Sequence, residues 1–94
     1  MARVFLTRSA CEALSQLDFV LADAILDALA ELEREPEIGY ALRGRLKGLH
    51  SYRVGAYRVI YEIRDASTVR VVAIRHRGHA YGTDPVSNRA LEEA

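Results

Sequence analysis

The stretch Tyr52-Arg53-Val54-Gly55-Ala56-Tyr57-Arg58-Val59-Ile60-Tyr61-Glu62-Ile63 decides the fold. Aromatic and β-branched residues alternate with polar ones on both sides of Gly55-Ala56, the pattern of two half-buried strands. Glycine at the first loop position suits a type II′ hairpin turn. A two-residue loop there pairs Val54 with Tyr57 and Arg53 with Arg58. A second turn, from Asp65 to Thr68, leads into a third strand over 69–75. Closing it around Ala66-Ser67 pairs Arg58 with Arg75, Val59 with Ile74 and Tyr61 with Val72.

This register sorts the meander into two faces. One carries Tyr52, Val54, Tyr57, Val59, Tyr61, Ile63, Val72 and Ile74, and needs a cover. The other carries Arg53, Arg58 and Arg75 in a row across three strands, with Ile60, Glu62, Val71 and Ala73 beside them. Like charges directly opposite one another destabilise a sheet. A row of guanidinium groups with no carboxylate opposite therefore points to an anion from outside. Guanidinium is planar, permanently charged and bidentate to phosphate. A carboxylate-bearing protein partner would satisfy it as well.

The cover comes from upstream. Residues 3–6 read as a short first strand, which brings the expected sheet to four strands. Thr7 is the expected N-cap of a helix running to about Asp18, with Ala10, Leu14 and Leu17 at helical spacing. Cys11 on this helix is expected to serve as a small core hydrophobe. A second helix over roughly 19–34 carries Phe19, Ala22, Ile25, Leu26, Leu29 and Leu32 as its apolar stripe. Asp23, Asp27, Glu31 and Glu35 form a solvated acidic face, and Pro36 stops the helix. Residues 37–50, with Gly39, Gly44 and Gly48 among Arg43, Arg45 and Lys47, read as a basic loop. The expected architecture is α+β: two N-terminal helices packed on one face of a small antiparallel-rich sheet. A single domain is expected over 1–82. Residues 83–94 form a tail, either loose or beginning a short helix at Asp84-Pro85.

The chain has 94 residues, enough for one core, and half of them are hydrophobic. No apolar run approaches the roughly 20 residues of a membrane helix. The N-terminus has no long apolar segment of the signal-peptide kind. With a single cysteine, a reducing cytoplasm is the expected location. The zero net charge hides a division. Residues 1–42 carry three basic groups against eight acids, whereas residues 43–77 carry nine against two. A basic surface for a polyanion on an acidic scaffold is the expected reading.

Other chemistry is weaker. His76 and His79 are three apart and His50 is distant, so no spacing matches a zinc site. Neither a metal nor a cofactor is expected. His50 and Ser51 are adjacent strand residues that point to opposite faces, which argues against a dyad. Gly44 and Gly48 flank Lys47 without the Walker pattern. If the ligand is RNA, a 2′-hydroxyl can attack the neighbouring phosphate without metal. Arginines would stabilise the transition-state charge, and Tyr81, His76, His79 or Lys47 could move protons. Tyr81 equally reads as a base-stacking group or a rim residue.

The succession Leu46-Lys47-Gly48-Leu49, then Tyr52 to Ile63, then Ala73-Ile74-Arg75-His76-Arg77 with Tyr81, resembles the RelE/ParE superfamily of bacterial toxin–antitoxin toxins. The resemblance covers about residues 2–82 and implies two N-terminal helices on a small sheet. Its RelE branch implies a metal-independent endonuclease that cleaves mRNA on the ribosome and is neutralised by a cognate antitoxin. It also implies catalytic roles for Arg53, Arg58, Arg75, Arg77 and Tyr81. Arg43, Arg45 and Lys47 are expected to bind RNA, with His76 and His79 as candidate acid or base. Ser51 departs from the pattern, which often has a basic residue there. The ParE branch implies inhibition of DNA gyrase instead. A third reading is an inactive module whose arginine row only docks an acidic antitoxin segment.

Overall fold

A computed structural model of the chain describes residues 1–76; the expectations for Arg77, His79, Tyr81 and the tail 83–94 lie outside these residues. Strand β1 (Arg3–Leu6) leads into helix α1 (Arg8–Ser15), followed by α2 (Phe19–Arg34). Strands β2 (Tyr40–Ala41), β3 (His50–Val54), β4 (Tyr57–Asp65) and β5 (Thr68–His76) complete the sheet. Its order is β1-β5-β4-β3-β2. Strand β1 runs parallel to β5 and the other pairings are antiparallel. The sheet thus has five strands rather than the expected four. The extra one is the two-residue edge β2, cut from the segment read as a loop.

Local chemistry places each boundary. Thr7 caps α1, its Oγ1 accepting from the Ala10 amide at 3.2 Å. Asp18 begins α2 rather than ending α1: its Oδ1 accepts from the Leu21 amide at 3.0 Å. Gly55 has a φ of 59° while Ala56 has none above zero, the combination that a type II′ turn requires. At the other turn, Asp65 Oδ1 accepts from the Ser67 amide at 2.8 Å and from its hydroxyl at 2.9 Å. Those bonds hold the Asp65 carboxyl below its usual range.

The helices bury one face of the sheet. Ala10, Ile25, Leu29 and Leu32 pack with Val59, Tyr61, Val69, Val71 and Ile74. Phe19 and Leu26, expected in the stripe, are instead largely exposed. They stand seven residues apart on one line of the helix. That line is turned about 100° from the Ile25–Leu29–Leu32 line that meets the sheet. Cys11 is exposed, not a core residue; its neighbour Ala10 takes the buried position.

The register holds at the arginines and departs beyond them. Arg53 pairs with Arg58, and Arg58 with Arg75. Tyr61, however, pairs with Val71 and not with Val72. Ile60 faces Ala73, so Val72 is an extra residue, a β-bulge on β5. Thr7 accounts for it: its amide bonds the Val71 carbonyl at 2.9 Å and its hydroxyl donates to the Val72 carbonyl at 3.1 Å. Val71 consequently joins the helix-side core, and Val72 joins Ile60 and Ala73 on the other face. An opposite shift at Arg64 restores the pairing before the turn.

That other face is not open over its full length. Leu42 and Leu46, with Leu49 against them, close over Ile60, Val72 and Ala73 as a second small core. The leucines come from the segment read as a basic loop, which forms short 3-10 turns at Pro36–Ile38 and Gly44–Leu46. Tyr61 anchors the start of this segment. It is fully buried; its hydroxyl donates to the Pro36 carbonyl at 2.7 Å and accepts from the Gly39 amide at 3.1 Å. A Cβ on Gly39 would lie 2.6 Å from the Ser51 carbonyl oxygen, so only glycine fits this approach.

Burial pushes the Tyr61 phenol above its ordinary range. A raised folded value contributes stability that is complete below about pH 10 and is lost as pH rises through the folded value. Tyr61→Phe leaves the Gly39 amide and Pro36 carbonyl without that partner. Urea denaturation at neutral pH is expected to show a loss of about 1–3 kcal/mol. The variant's remaining stability is expected to fall less steeply than the wild type's in alkali. An unchanged midpoint would contradict the anchoring role.

Candidate nucleic-acid interface

Strand alternation builds the site on the face away from the helices. Two cross-strand ranks lie side by side there. One is Arg53, Arg58 and Arg75 on β3, β4 and β5. The next is Tyr40, Ser51, Ile60 and Ala73 on β2, β3, β4 and β5. The 42–49 segment covers the apolar end of the second rank.

None of the three arginines pairs with a carboxylate among the described residues. Arg53 Nε donates to the Gly55 carbonyl at 3.3 Å, and Arg58 donates through NH1 to the Tyr40 hydroxyl at 3.2 Å. Arg75 Nε is buried with no partner. Glu62, the acid nearest in sequence, is engaged at the other end of the sheet by Arg64 at 3.5 Å and Arg70 at 3.6 Å. Among the described residues the row therefore has no carboxylate counterion. It presents planar donors suited to bidentate contact with phosphate or carboxylate oxygens.

The other expected site residues distribute unevenly. Arg43, Arg45 and Lys47 are exposed, and they alternate with Leu42 and Leu46, which are buried against the sheet. The basic loop is thus a basic cap on the same side as the arginine row. His76 does not join that row. It pairs with Tyr57 and meets its ring edge-on, with centroids 5.2 Å apart. Tyr57 packs into the helix-side core, so the strand register sets His76 on the face opposite the arginine row. His76 lines a cleft of about 260 Å³ with Ala13, Gln16, Leu17, Tyr57, Ile74 and Arg75. His50 and Ser51 do lie on opposite faces: His50 pairs with Tyr61 and stacks on its ring at 5.3 Å, while Ser51 pairs with Ile60.

Sequence reasoning missed two participants. Tyr40 had no strand to place it, and Ser51 was read as half of an unlikely dyad and as a departure from a pattern. Ser51 is fully buried, and its Oγ has no hydrogen-bond partner. It is the small residue in the register between Tyr40 and the strand that carries Arg58.

The row carries a stability cost that can be measured. Arg75→Met keeps the aliphatic stem but removes both the facing charge and the unpartnered N–H. Its melting temperature at low salt is expected to exceed the wild type's, by an amount equivalent to a fraction of about 1 kcal/mol. The difference should shrink at high salt as screening weakens the wild-type repulsion. A lower melting temperature at low salt would refute uncompensated charge at this position.

Comparison with known proteins gives the arrangement its context. Residues 4–81 match the family described as the ParE toxin of type II toxin-antitoxin systems, parDE. Toxin RelE of Mycobacterium tuberculosis is 35% identical over 89 residues, covering 92% of this chain and 92% of that protein. Toxin RelG of the same organism is 39% identical over 64 residues, covering 66% of this chain and 74% of that protein. The crystal structure of the M. tuberculosis toxin-antitoxin complex RelBE2 contains a chain that superposes with a TM-score of 0.75 at 35% identity. The match covers 81% of this chain and 98% of that one. A two-helix, mixed-sheet toxin scaffold is therefore shared along almost the whole of the described chain, and the protein is a RelE-like member of the ParE toxin family of type II toxin–antitoxin systems.

Proposed function

We propose that the protein is a ribosome-dependent mRNA endonuclease that blocks translation and is held inactive by a cognate antitoxin. The observation that carries this reading is the row Arg53–Arg58–Arg75, registered across three strands with no carboxylate paired to it among the described residues. In the proposed reaction the 2′-oxygen of a nucleotide attacks its own 3′-phosphorus. The bond from phosphorus to the 5′-oxygen breaks, leaving a 2′,3′-cyclic phosphate and a 5′-hydroxyl. One proton leaves the 2′-hydroxyl and one reaches the departing oxygen. Three guanidinium groups would stabilise the dianionic transition state without a metal. Arg77 and Tyr81 complete the proposed site, and Arg43, Arg45 and Lys47 would hold flanking phosphates. An antitoxin partner is supported by the toxin-antitoxin complex among the structural relatives.

The decisive measurement is to induce the wild type and Arg58→Ala in cells and map mRNA 5′ ends. New ends within translated regions are expected for the wild type. Their yield should fall about 100-fold or more in the variant, the usual scale for losing one transition-state donor. The match to a ParE toxin family keeps a second reading in play, the DNA gyrase inhibition implied by the resemblance to the ParE branch. Growth arrest by the wild type with unchanged mRNA ends, together with inhibited supercoiling by purified protein, would replace the first reading with the second.

A further inference from the structure

We propose that Tyr40 is a nucleobase-contacting residue, its ring a stacking platform for a base of single-stranded RNA whose phosphates lie on the arginine row. The inference rests on the proposed action on mRNA and adds a contact to it.

Tyr40 reaches this position by backbone pairing. It stands opposite Ser51 on edge strand β2, which puts its side chain on the same face as Arg53 and Arg58. Strand β2 lies two strand spacings, about 10 Å, from β4. The side chain bridges that gap over Ser51, and its hydroxyl accepts the Arg58 NH1 hydrogen at 3.2 Å. Even so, the residue is 54% exposed. It belongs to neither core cluster, although Leu42 and Leu46 of the following segment do pack on this face. A large aromatic ring tethered at its hydroxyl and left in solvent contributes little to burial. What the tether does is fix the ring's place beside the cations.

The chemistry of that juxtaposition is specific. Because the Tyr40 oxygen accepts from Arg58, its own proton remains available for a phosphate oxygen. The ring supplies the π-face that a cation row lacks. A basic track flanked by an exposed aromatic is how proteins hold single-stranded nucleic acid, phosphates on the cations and a base on the ring. An acidic protein segment would satisfy the arginines without using the ring face.

The chain has no tryptophan, so Tyr40→Trp installs a single fluorescent reporter at the proposed platform. The titrant is a short single-stranded oligoribonucleotide, 2′-O-methylated throughout so that it cannot be cut. A second oligonucleotide of equal length is abasic at every position. Quenching by the first and little change with the second is expected. By fluorescence anisotropy, Tyr40→Leu should bind the intact oligonucleotide about 5- to 100-fold more weakly than the wild type. Tyr40→Phe, which keeps the ring but loses the hydroxyl tether, should bind between the wild type and Tyr40→Leu. Thermal melts establish that each variant is folded, and the tryptophan arm decides the matter if Tyr40→Leu is not.

Three outcomes overturn the inference: Tyr40→Leu binding as tightly as the wild type, tryptophan emission unmoved by an oligonucleotide that anisotropy shows to be bound, or no RNA binding by the wild type. The parent reading fails separately, through absent mRNA cleavage by the wild type. If the wild type cuts mRNA, and Tyr40→Leu both cuts and binds RNA equally well, only the role of Tyr40 is lost.

Discussion

Period-two alternation under a fixed hydrogen-bonded register is the constraint on which the other features depend. Arg58 pairs with Arg53 on one side and Arg75 on the other because Val59, Tyr61 and Ile74 face the helices. A slip of one residue would carry every apolar side chain of a strand out of the core. The buried face therefore holds the charged row in place, although the row itself opposes the fold. A repulsion of some fraction of about 1 kcal/mol per pair is small against the burial of residues such as Val59, Tyr61 and Ile74. That inequality lets a sheet this small keep three aligned guanidinium groups.

Thr7 shows how such a register is maintained beside an irregularity. Three of its hydrogen bonds meet at one residue: one caps α1, and two draw the Val71 and Val72 carbonyls toward the end of β1. The resulting bulge rotates Val71 into the helix-side core and Val72 away from it. The opposite shift at Arg64 confines the change to the middle of the β4–β5 ladder. The hairpin turn at Asp65 and the arginine end of the ladder both keep the spacing of an unbulged pair. Local distortion is absorbed between two fixed points, and the candidate site stands outside it.

These two devices explain what was legible in the sequence and what was not. Alternation around Gly55-Ala56 revealed the meander, the helix-covered face and the alignment of Arg53, Arg58 and Arg75, because those depend on neighbours in the chain. The bulge at Val72 was invisible because its cause, Thr7, is 65 residues away. Strand β2 was hidden for a similar reason. Its position depends on the Tyr61 hydroxyl and on a glycine whose absent Cβ admits the Ser51 backbone. The cover over Ile60 did leave a trace: Leu42, Leu46 and Leu49 recur at helix-like spacing among the basic residues. Apolar Ile60 and Ala73 on a supposedly solvated face were the other half of that signal. Phe19 and Leu26 misled because hydrophobicity alone does not select which line of a helix meets the sheet.

The division of the second face into a closed half and an open half bears on what the family scaffold can do here. Fold likeness alone does not choose among targets. What differs must lie where the scaffold meets solvent. In this chain the 42–49 segment seals the apolar rank, and beside it runs one cationic rank, Arg53 exposed and Arg58 and Arg75 half-buried, bordered by Tyr40. The strip is one strand-rank wide, with its cations about one strand spacing apart. Because Tyr61 ties the start of that segment to the helix-side core, the width of the strip depends on the same buried residue that helps hold the sheet to its helices.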